Sequence, residues 1–183
     1  MLQLNFSPFP VLYTERLLLR AATLQDADAL SSIRSDARVN QFLDRPKQLS
    51  IEEAENRISR IENEIKNAEC IEWILQYKED AYMLGSICYW NIVPEKDKAE
   101  IGYEMHSKHF GNGIMQEAIQ CIIDYGFNVM QLKTIEAFPL ATNSRSIRLL
   151  EKNNFVRDYT IEQYNLSEKE KRTTAVYVLN KIV

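Results

Sequence analysis

The chain of 183 residues is 45% hydrophobic and 26% charged, a balance that argues against disorder and allows a core to form without disulfides or a structural metal. With 22 Lys and Arg against 26 Asp and Glu the formal charge is −4, which argues against a nonspecific nucleic-acid binder and sits better with a cationic amine. The apolar runs 71–75 and 83–90 fall far short of the roughly twenty residues of a membrane span, so no membrane partner is expected. The opening MLQLNFSPFPVLY has no basic start, long apolar stretch or small-residue cleavage site, and the protein is expected in the cytoplasm. Cys70, Cys88 and Cys121 are odd in number and form no C-x-x-C pair, so they read as free core thiols.

Without an internal repeat, low-complexity tract or Gly/Ser linker, residues 1–183 read as one domain. Residues 16–20 predict a first strand, and Thr23 stands where a cap is needed for a helix over 26–35. Ser50 and Glu53 have capping-box spacing at the head of a second helix, in which Ile51, Ala54, Ile58, Ile61 and Ile65 share one face and predict a core stripe. Residues 72–77 and 82–92 read as a hairpin about the polar turn 78–80, and residues 98–105 as a third strand. Residues 113–129 carry Ile114, Met115, Ala118, Ile119 and Ile122, which predict a deeply packed helix. A strand over 134–138 ends at Pro139, Asn143 or Ser144 caps a helix reaching Lys152, and strands over 155–166 and 173–180 close the chain as a hairpin. The charged run 167–172 is its turn, either simply solvated or facing an acceptor or the second subunit of a homodimer. The order is mixed α/β with antiparallel hairpins at both ends.

The most informative stretch is His109-Phe110-Gly111-Asn112-Gly113-Ile114-Met115-Gln116-Glu117-Ala118, which sets two glycines between a strand and a buried helix. Glycines let a backbone approach an anion closely, and the first amides of a helix have no internal acceptor, so phosphate oxygens can take them. A tight strand-to-helix turn is the plainer explanation of the same two glycines. Gln116 stands where a third glycine would complete G-x-G-x-x-G, and no G-K-[ST] follows, so dinucleotide and nucleoside-triphosphate loops lose ground.

The loop Lys108-His109-Phe110-Gly111-Asn112-Gly113 resembles the [QR]-x-x-G-x-[GA] pyrophosphate loop of the GNAT acetyltransferase superfamily, with Lys108 in place of Gln or Arg. Three more segments resemble that superfamily in its own order. Thr14-Glu15-Arg16-Leu17-Leu18-Leu19-Arg20 is similar to the opening of the ribosomal-protein N-terminal acetyltransferase branch, and Ala99-Glu100-Ile101-Gly102-Tyr103 to its central strand. The segment from Asn143 to Phe155 is similar to its N-x-x-S-x-x-L-L-E-K-x-G-F motif, with Asn154 for the glycine; Asn tolerates the left-handed conformation needed after a helix.

The resemblance implies a GNAT fold: a mixed, mostly antiparallel sheet splayed at its central parallel strand pair and flanked by helices. It implies acetyl-CoA as acyl donor, with no metal, and a primary amine as acceptor. The acceptor is either a protein or peptide N-terminal α-amine or a small molecule, unless the module binds CoA without turnover. Backbone groups near Met105 and His106 would pair with pantetheine and polarise the thioester carbonyl, residues 110–115 would hold the pyrophosphate, and Asn143 would meet the pantetheine arm from the opposite side, a helix cap being its other reading.

Direct attack in a ternary complex needs a neutral amine and a proton for the departing thiolate. Glu100 is the first candidate base, with Glu104 on the same strand face and Glu136 and Glu162 as further candidates; any of them also reads as a solvated strand carboxylate. Where many GNAT enzymes carry a tyrosine acid this chain has Leu150, and by resemblance Ser146 takes that place, a backbone-bonded first-turn serine being the alternative. His106 and His109 have H-x-x-H spacing but no third ligand in view, so no metal site is expected.

Overall fold

The structure, a computed structural model, describes residues 1–43, 49–165 and 173–182. Its strands are β1 (Leu12–Tyr13), β2 (Leu17–Arg20), β3 (Ile71–Tyr77), β4 (Gly85–Val93), β5 (Lys98–Met105), β6 (Thr134–Ala137), β7 (Val156–Arg157) and β8 (Tyr177–Asn180). They form one sheet in the order β1-β2-β3-β4-β5-β6-β8-β7. Every pair is antiparallel except β5 with β6. A parallel pair needs a long crossover, which the helix α4 (Ile114–Asn128) supplies.

That parallel pairing is short. It runs Lys98↔Thr134, Ala99↔Ile135 and Glu100↔Glu136 and stops there, although β5 stays bonded to β4 as far as Gly85↔Met105. Strand β6 ends at Ala137, two residues before Pro139, which lacks the N–H a ladder needs. The C-terminal half of β5 is therefore unpaired on the β6 side, and the sheet opens into a V at its centre.

Helices α1 (Ala27–Ser35), α2 (Ala37–Asn40) and α3 (Ile51–Lys66) precede β3. Helix α3 starts at Ser50, whose hydroxyl accepts from Glu53 N while the Glu53 carboxylate accepts from Ser50 N, satisfying two donors that a helix start leaves open. Ala54 and Ile58 pack with Leu30 and Ile33 of α1 and with Ile74 on one sheet face. Ile61 is buried as well, but Ile51 is 51% exposed, so the core stripe begins one turn later than its spacing predicts. On the other face α4 buries Ile114, Ala118, Ile119 and Ile122 against Ile101 and Ile135. Each large aliphatic side chain so buried contributes about 1.5 to 3 kcal/mol.

After Pro139 the chain forms α5 (Ser144–Lys152), closed by Asn154 at φ 64°, the left-handed position expected of it. The strand predicted over 155–166 is not formed. Only Val156 and Arg157 pair with β8, and the chain then enters α6 (Tyr159–Asn165). Asp158 Oδ1 accepts from Ile161 N at 2.9 Å, an Asp cap that competes with strand continuation and outweighs the β-favouring Tyr159 and Ile161. The charged run 167–172 and the hairpin turn predicted there lie outside the described residues.

Candidate active site

Strand β5 delivers the chain to the phosphate-type loop. Its end is anchored where Asp36 Oδ2 accepts from Ser107 N at 3.1 Å. Gly111 and Gly113 have φ values of 83° and 73°, which L side chains adopt only at a cost. A Cβ on Gly111 would meet nothing within 4 Å, whereas one on Gly113 would lie 3.4 Å from Arg16 Nη2; backbone conformation, rather than crowding, demands the glycines. The first bond of α4 runs from Glu117 N to Gly113 O at 3.0 Å. The amides of Ile114 and Met115 precede it and remain available to an anion, aided by the dipole of a 15-residue helix.

The loop is braced from the opposite end of the chain. The Glu117 carboxylate accepts from Thr14 Oγ1, from Arg16 N at 2.7 Å and from Arg16 Nε at 2.6 Å, and Arg16 Nη1 donates to Asn112 O at 3.1 Å. Burial works against the charge of Glu117, but the bonds from Thr14 and Arg16 outweigh it and hold the carboxyl below its usual range. The opening T-E-R segment is thus a strut for the loop, and it brings the Arg16 guanidinium to the anion cradle. Lys108 turns away, its Nζ standing 4.3 Å from the centroid of the Tyr82 ring.

From this loop a groove of about 270 Å³ runs into the V between the parted strands. Of the predicted donor residues, Met105, Phe110, Gly111, Gly113, Ile114 and Met115 line it, as do Asn143 and Ser146 from α5. His106 and Asn112 do not; the amide of His106 is engaged by Leu84 O at 3.0 Å, and the carbonyl of Asn112 by Arg16. Asn143 is the cap of α5, its Oδ1 accepting from Ser146 N at 3.1 Å, and it also lines the groove.

Ser146 does not spend its hydroxyl on the backbone. Its Oγ lies 2.7 Å from Tyr103 Oη, a bond that crosses the V from α5 to β5. Tyr103 is a site residue that spacing alone did not single out, although strand alternation puts it on the face of Ile101 and Met105. Arg145, whose guanidinium stacks on Phe110 at 4.1 Å and which also lines the groove, was likewise unforeseen.

Tyr103, Glu104 and Leu43 line this groove and also a second cavity of about 340 Å³ on the α1/α3 side of the sheet. The carboxylates differ sharply in setting. Glu104 stands at the junction, accepting from Arg34 Nη2 at 2.9 Å and Nε at 3.1 Å. Glu72, deeper in the second cavity, is paired with Arg57 at 3.1 Å, and burial nonetheless pushes its carboxyl up. Glu100 borders neither the groove nor this cavity; burial, with Glu136 nearby, pushes it up to about 7 against a bond from Asn91. Glu136 is held by Lys98 at 2.7 Å and Glu162 by Arg157 at 2.8 Å.

Among the described residues no group of three or more His, Cys, Asp and Glu could hold a metal, and no helix is long and apolar enough to cross a membrane. His106 Nδ1 instead accepts from Lys108 N at 3.2 Å.

An anion cradle at the head of the crossover helix, opening into a groove between parted central strands, is the architecture of a protein that binds an acyl-coenzyme A. The family model for the acetyltransferase (GNAT) domain matches residues 16–156, and the chain belongs to the GNAT acetyltransferase family: it is an acyltransferase that uses acetyl-CoA. It is 31% identical over 173 residues to the uncharacterized N-acetyltransferase YoaA of Bacillus subtilis (strain 168), covering 94% of this chain and 98% of that one. Among solved structures, RimL, a ribosomal L7/L12 alpha-N-protein acetyltransferase in complex with coenzyme A, superposes with a TM-score of 0.80 at 19% identity, covering 93% and 98% of the two chains. The microcin C7 self-immunity acetyltransferase MccE, in complex with acetyl-CoA and AMP, gives 0.78 at 18% identity over 91% and 93%. These two likenesses bear on the fold.

Proposed function

We propose that the chain acetylates the α-amine of a protein or peptide N-terminus by direct attack on acetyl-CoA in a ternary complex. The observation that carries this reading is the junction at Tyr103 and Glu104, where the groove leading from the anion cradle meets the second cavity. A donor in the first and an amine in the second would have their reacting ends at one point, which is what a direct transfer requires.

In this reading the amides of Ile114 and Met115, with Arg16 beside them, hold the pyrophosphate. Backbone groups at Met105 and the side chain of Asn143 flank the pantetheine arm. Glu104, fixed by Arg34, orients the incoming ammonium. Glu100 has the proton affinity to receive its proton near neutral pH, by way of water, since it borders neither cavity. Ser146 donates to the departing sulfur. The T-E-R-L-L-L-R opening and the N-x-x-S-x-x-L-L-E-K segment support the ribosomal-protein branch, as does the RimL likeness.

The second cavity, at about 340 Å³, has room for a small-molecule amine, a second reading; the MccE likeness points the same way. Thiol release from acetyl-CoA, measured with N-terminal peptides, polyamines and aminoglycosides, separates the two. Turnover confined to small amines would remove the protein-modifying reading, and binding of acetyl-CoA without turnover on any amine would leave a silent CoA-binding module.

A further inference from the structure

Sulfur departure in this chain poses a specific problem. The helix position that carries a tyrosine acid in many GNAT enzymes is Leu150, which is fully buried in the core. Ser146 faces the groove, but an aliphatic hydroxyl is a far weaker acid than a phenol, and having given up its proton it would be left as an alkoxide. The structure supplies a phenol behind it. Among the described residues the hydrogen-bond partner of Tyr103 Oη is Ser146 Oγ, at 2.7 Å, and both side chains line the groove.

We propose that Tyr103 and Ser146 form a two-hydroxyl proton relay, in which Tyr103 recharges Ser146 as the coenzyme A thiolate leaves. This rests on the reading of the groove as the donor site. The acceptor nitrogen uses its lone pair to form the N–C bond, and the C–S bond breaks with its electron pair on sulfur. Sulfur takes the proton of Ser146 Oγ while Ser146 takes that of Tyr103. The proton lost by the acceptor nitrogen passes to a carboxylate or water, and solvent returns one proton to the phenolate, so the count closes at one amide and one free thiol.

Three features of the fold suit Tyr103 to this task. Strand β5 fixes its backbone through pairing with β4, Tyr103 opposite Ile87, so the phenol is carried by a rigid element rather than a loop. Ser146 has its own amide held by the Asn143 cap, which fixes the first turn of α5 and thus the hydroxyl. The order of donation follows from the chemistry: if Tyr103 donates to Ser146 Oγ, the serine proton is free to point into the groove. Burial pushes the phenol up to about 12, opposed by the bond with Ser146; it therefore stays protonated at neutral pH and regains its proton readily after each transfer, while the same shift makes it a weaker acid than a free phenol. Tyr103 acts on the sulfur through Ser146 and is in that sense a positioning residue for the proton.

The test uses the whole chain with Tyr103→Phe, Ser146→Ala and the double variant, each checked by thermal melting and by calorimetry with acetyl-CoA. Turnover in the chemical step is expected to fall on the order of a hundredfold in either single variant, while acetyl-CoA affinity and KM stay within about threefold, the signature of a loss confined to the transition state. The double variant should fall no further than the worse single one, because both remove the same relay. A proton inventory in mixed light and heavy water should be curved for the parent and straight for Tyr103→Phe, a change that a purely structural tyrosine would not produce. Unchanged turnover in Tyr103→Phe with chemistry rate-limiting, or losses that multiply in the double variant, would overturn the relay while leaving the donor site intact. Failure of the parent itself to bind acetyl-CoA would instead remove the donor-site reading. If Tyr103→Phe melts early, Ser146→Ala and the parent inventory decide: undiminished turnover in Ser146→Ala or a linear parent inventory is an adverse result.

Discussion

Gly113 is the position at which backbone geometry and ligand chemistry can be separated by two substitutions. Its φ of 73° costs any L residue roughly 1 to 2 kcal/mol, and a Cβ there would stand 3.4 Å from Arg16 Nη2, a contact that a flexible guanidinium end can relieve. Gly113→Ala should therefore lower stability by about 1 kcal/mol, or about 3 °C in Tm for a chain of this size. Acetyl-CoA affinity should drop modestly as the amides of Ile114 and Met115 shift. Gly113→Glu carries the same backbone cost and adds a negative charge beside the pyrophosphate site. Two like charges about 4 Å apart cost about 1 kcal/mol in water and about 4 kcal/mol near a protein surface, so affinity should fall by a further factor of about five to about a thousand. Capture of Arg16 by the new carboxylate would deepen the loss. Calorimetry with acetyl-CoA and a thermal melt, run on both variants, check the two halves of the argument. Equal affinity in Gly113→Glu and the parent would refute the assignment of this loop to the pyrophosphate.

Arg16→Ala should weaken acetyl-CoA binding by roughly threefold to tenfold, the range left after solvent screening of an exposed charge, and raising the salt concentration should shrink the difference. Asp26 is 4% exposed and accepts from both Arg20 Nη atoms at 2.7 Å; burial opposes its charge, but the bonds from Arg20 and Thr23 hold the carboxyl below its usual range. Asp26→Asn should therefore cost about 3 kcal/mol at neutral pH, and denaturant titrations should show the gap beginning to close as pH falls below about 4, where Asp26 of the unfolded chain takes up a proton, and closed once pH is below the lowered value of the folded carboxyl. Glu100 has the opposite sign: raised from 4.5 to about 7, it costs the fold up to roughly 3 kcal/mol once pH exceeds its folded value. Glu100→Gln should flatten the decline in stability between about pH 5 and 7; an unchanged slope would show that Glu100 is not buried as described. Single-turnover rates of the same variant should be depressed least well below pH 7, where Glu100 of the parent is itself protonated, and most just above it, where Glu100 is ionised while the acceptor is still largely ammonium; a loss of equal size at every pH would remove Glu100 as proton acceptor.

The chain's own order of residues determined a good deal. Local signals carry through wherever one turn or one helix face decides: the Ser50–Glu53 box, the buried face of α4, the left-handed Asn154 and the two glycines before Ile114 all follow from short-range chemistry. The resemblance of four segments, which follow one another in the family's order, was enough to anticipate the splayed sheet and the acetyl-CoA donor. The local pattern misled at 155–166, where β-favouring residues pointed to a strand and an Asp158 cap, with Glu162 of α6 paired back to Arg157 of β7, made a helix instead.

What only the tertiary structure decided are contacts between residues far apart along the chain. Thr14 and Arg16 meet Glu117 about a hundred residues away, so no spacing rule could reveal that the turn between β1 and β2 braces the phosphate loop. Tyr103 reaches Ser146 only because β5 parts from β6 and the first turn of α5 crosses the gap. The two strand carboxylates separate for the same kind of reason. Alternation sets Glu100 and Glu104 on one face of β5, yet α1 brings Arg34 to Glu104, while Glu100 is enclosed beside Asn91 and Glu136. Periodicity assigns a side chain to a face; what it meets there depends on which elements pack over that face, and that is settled by the fold as a whole.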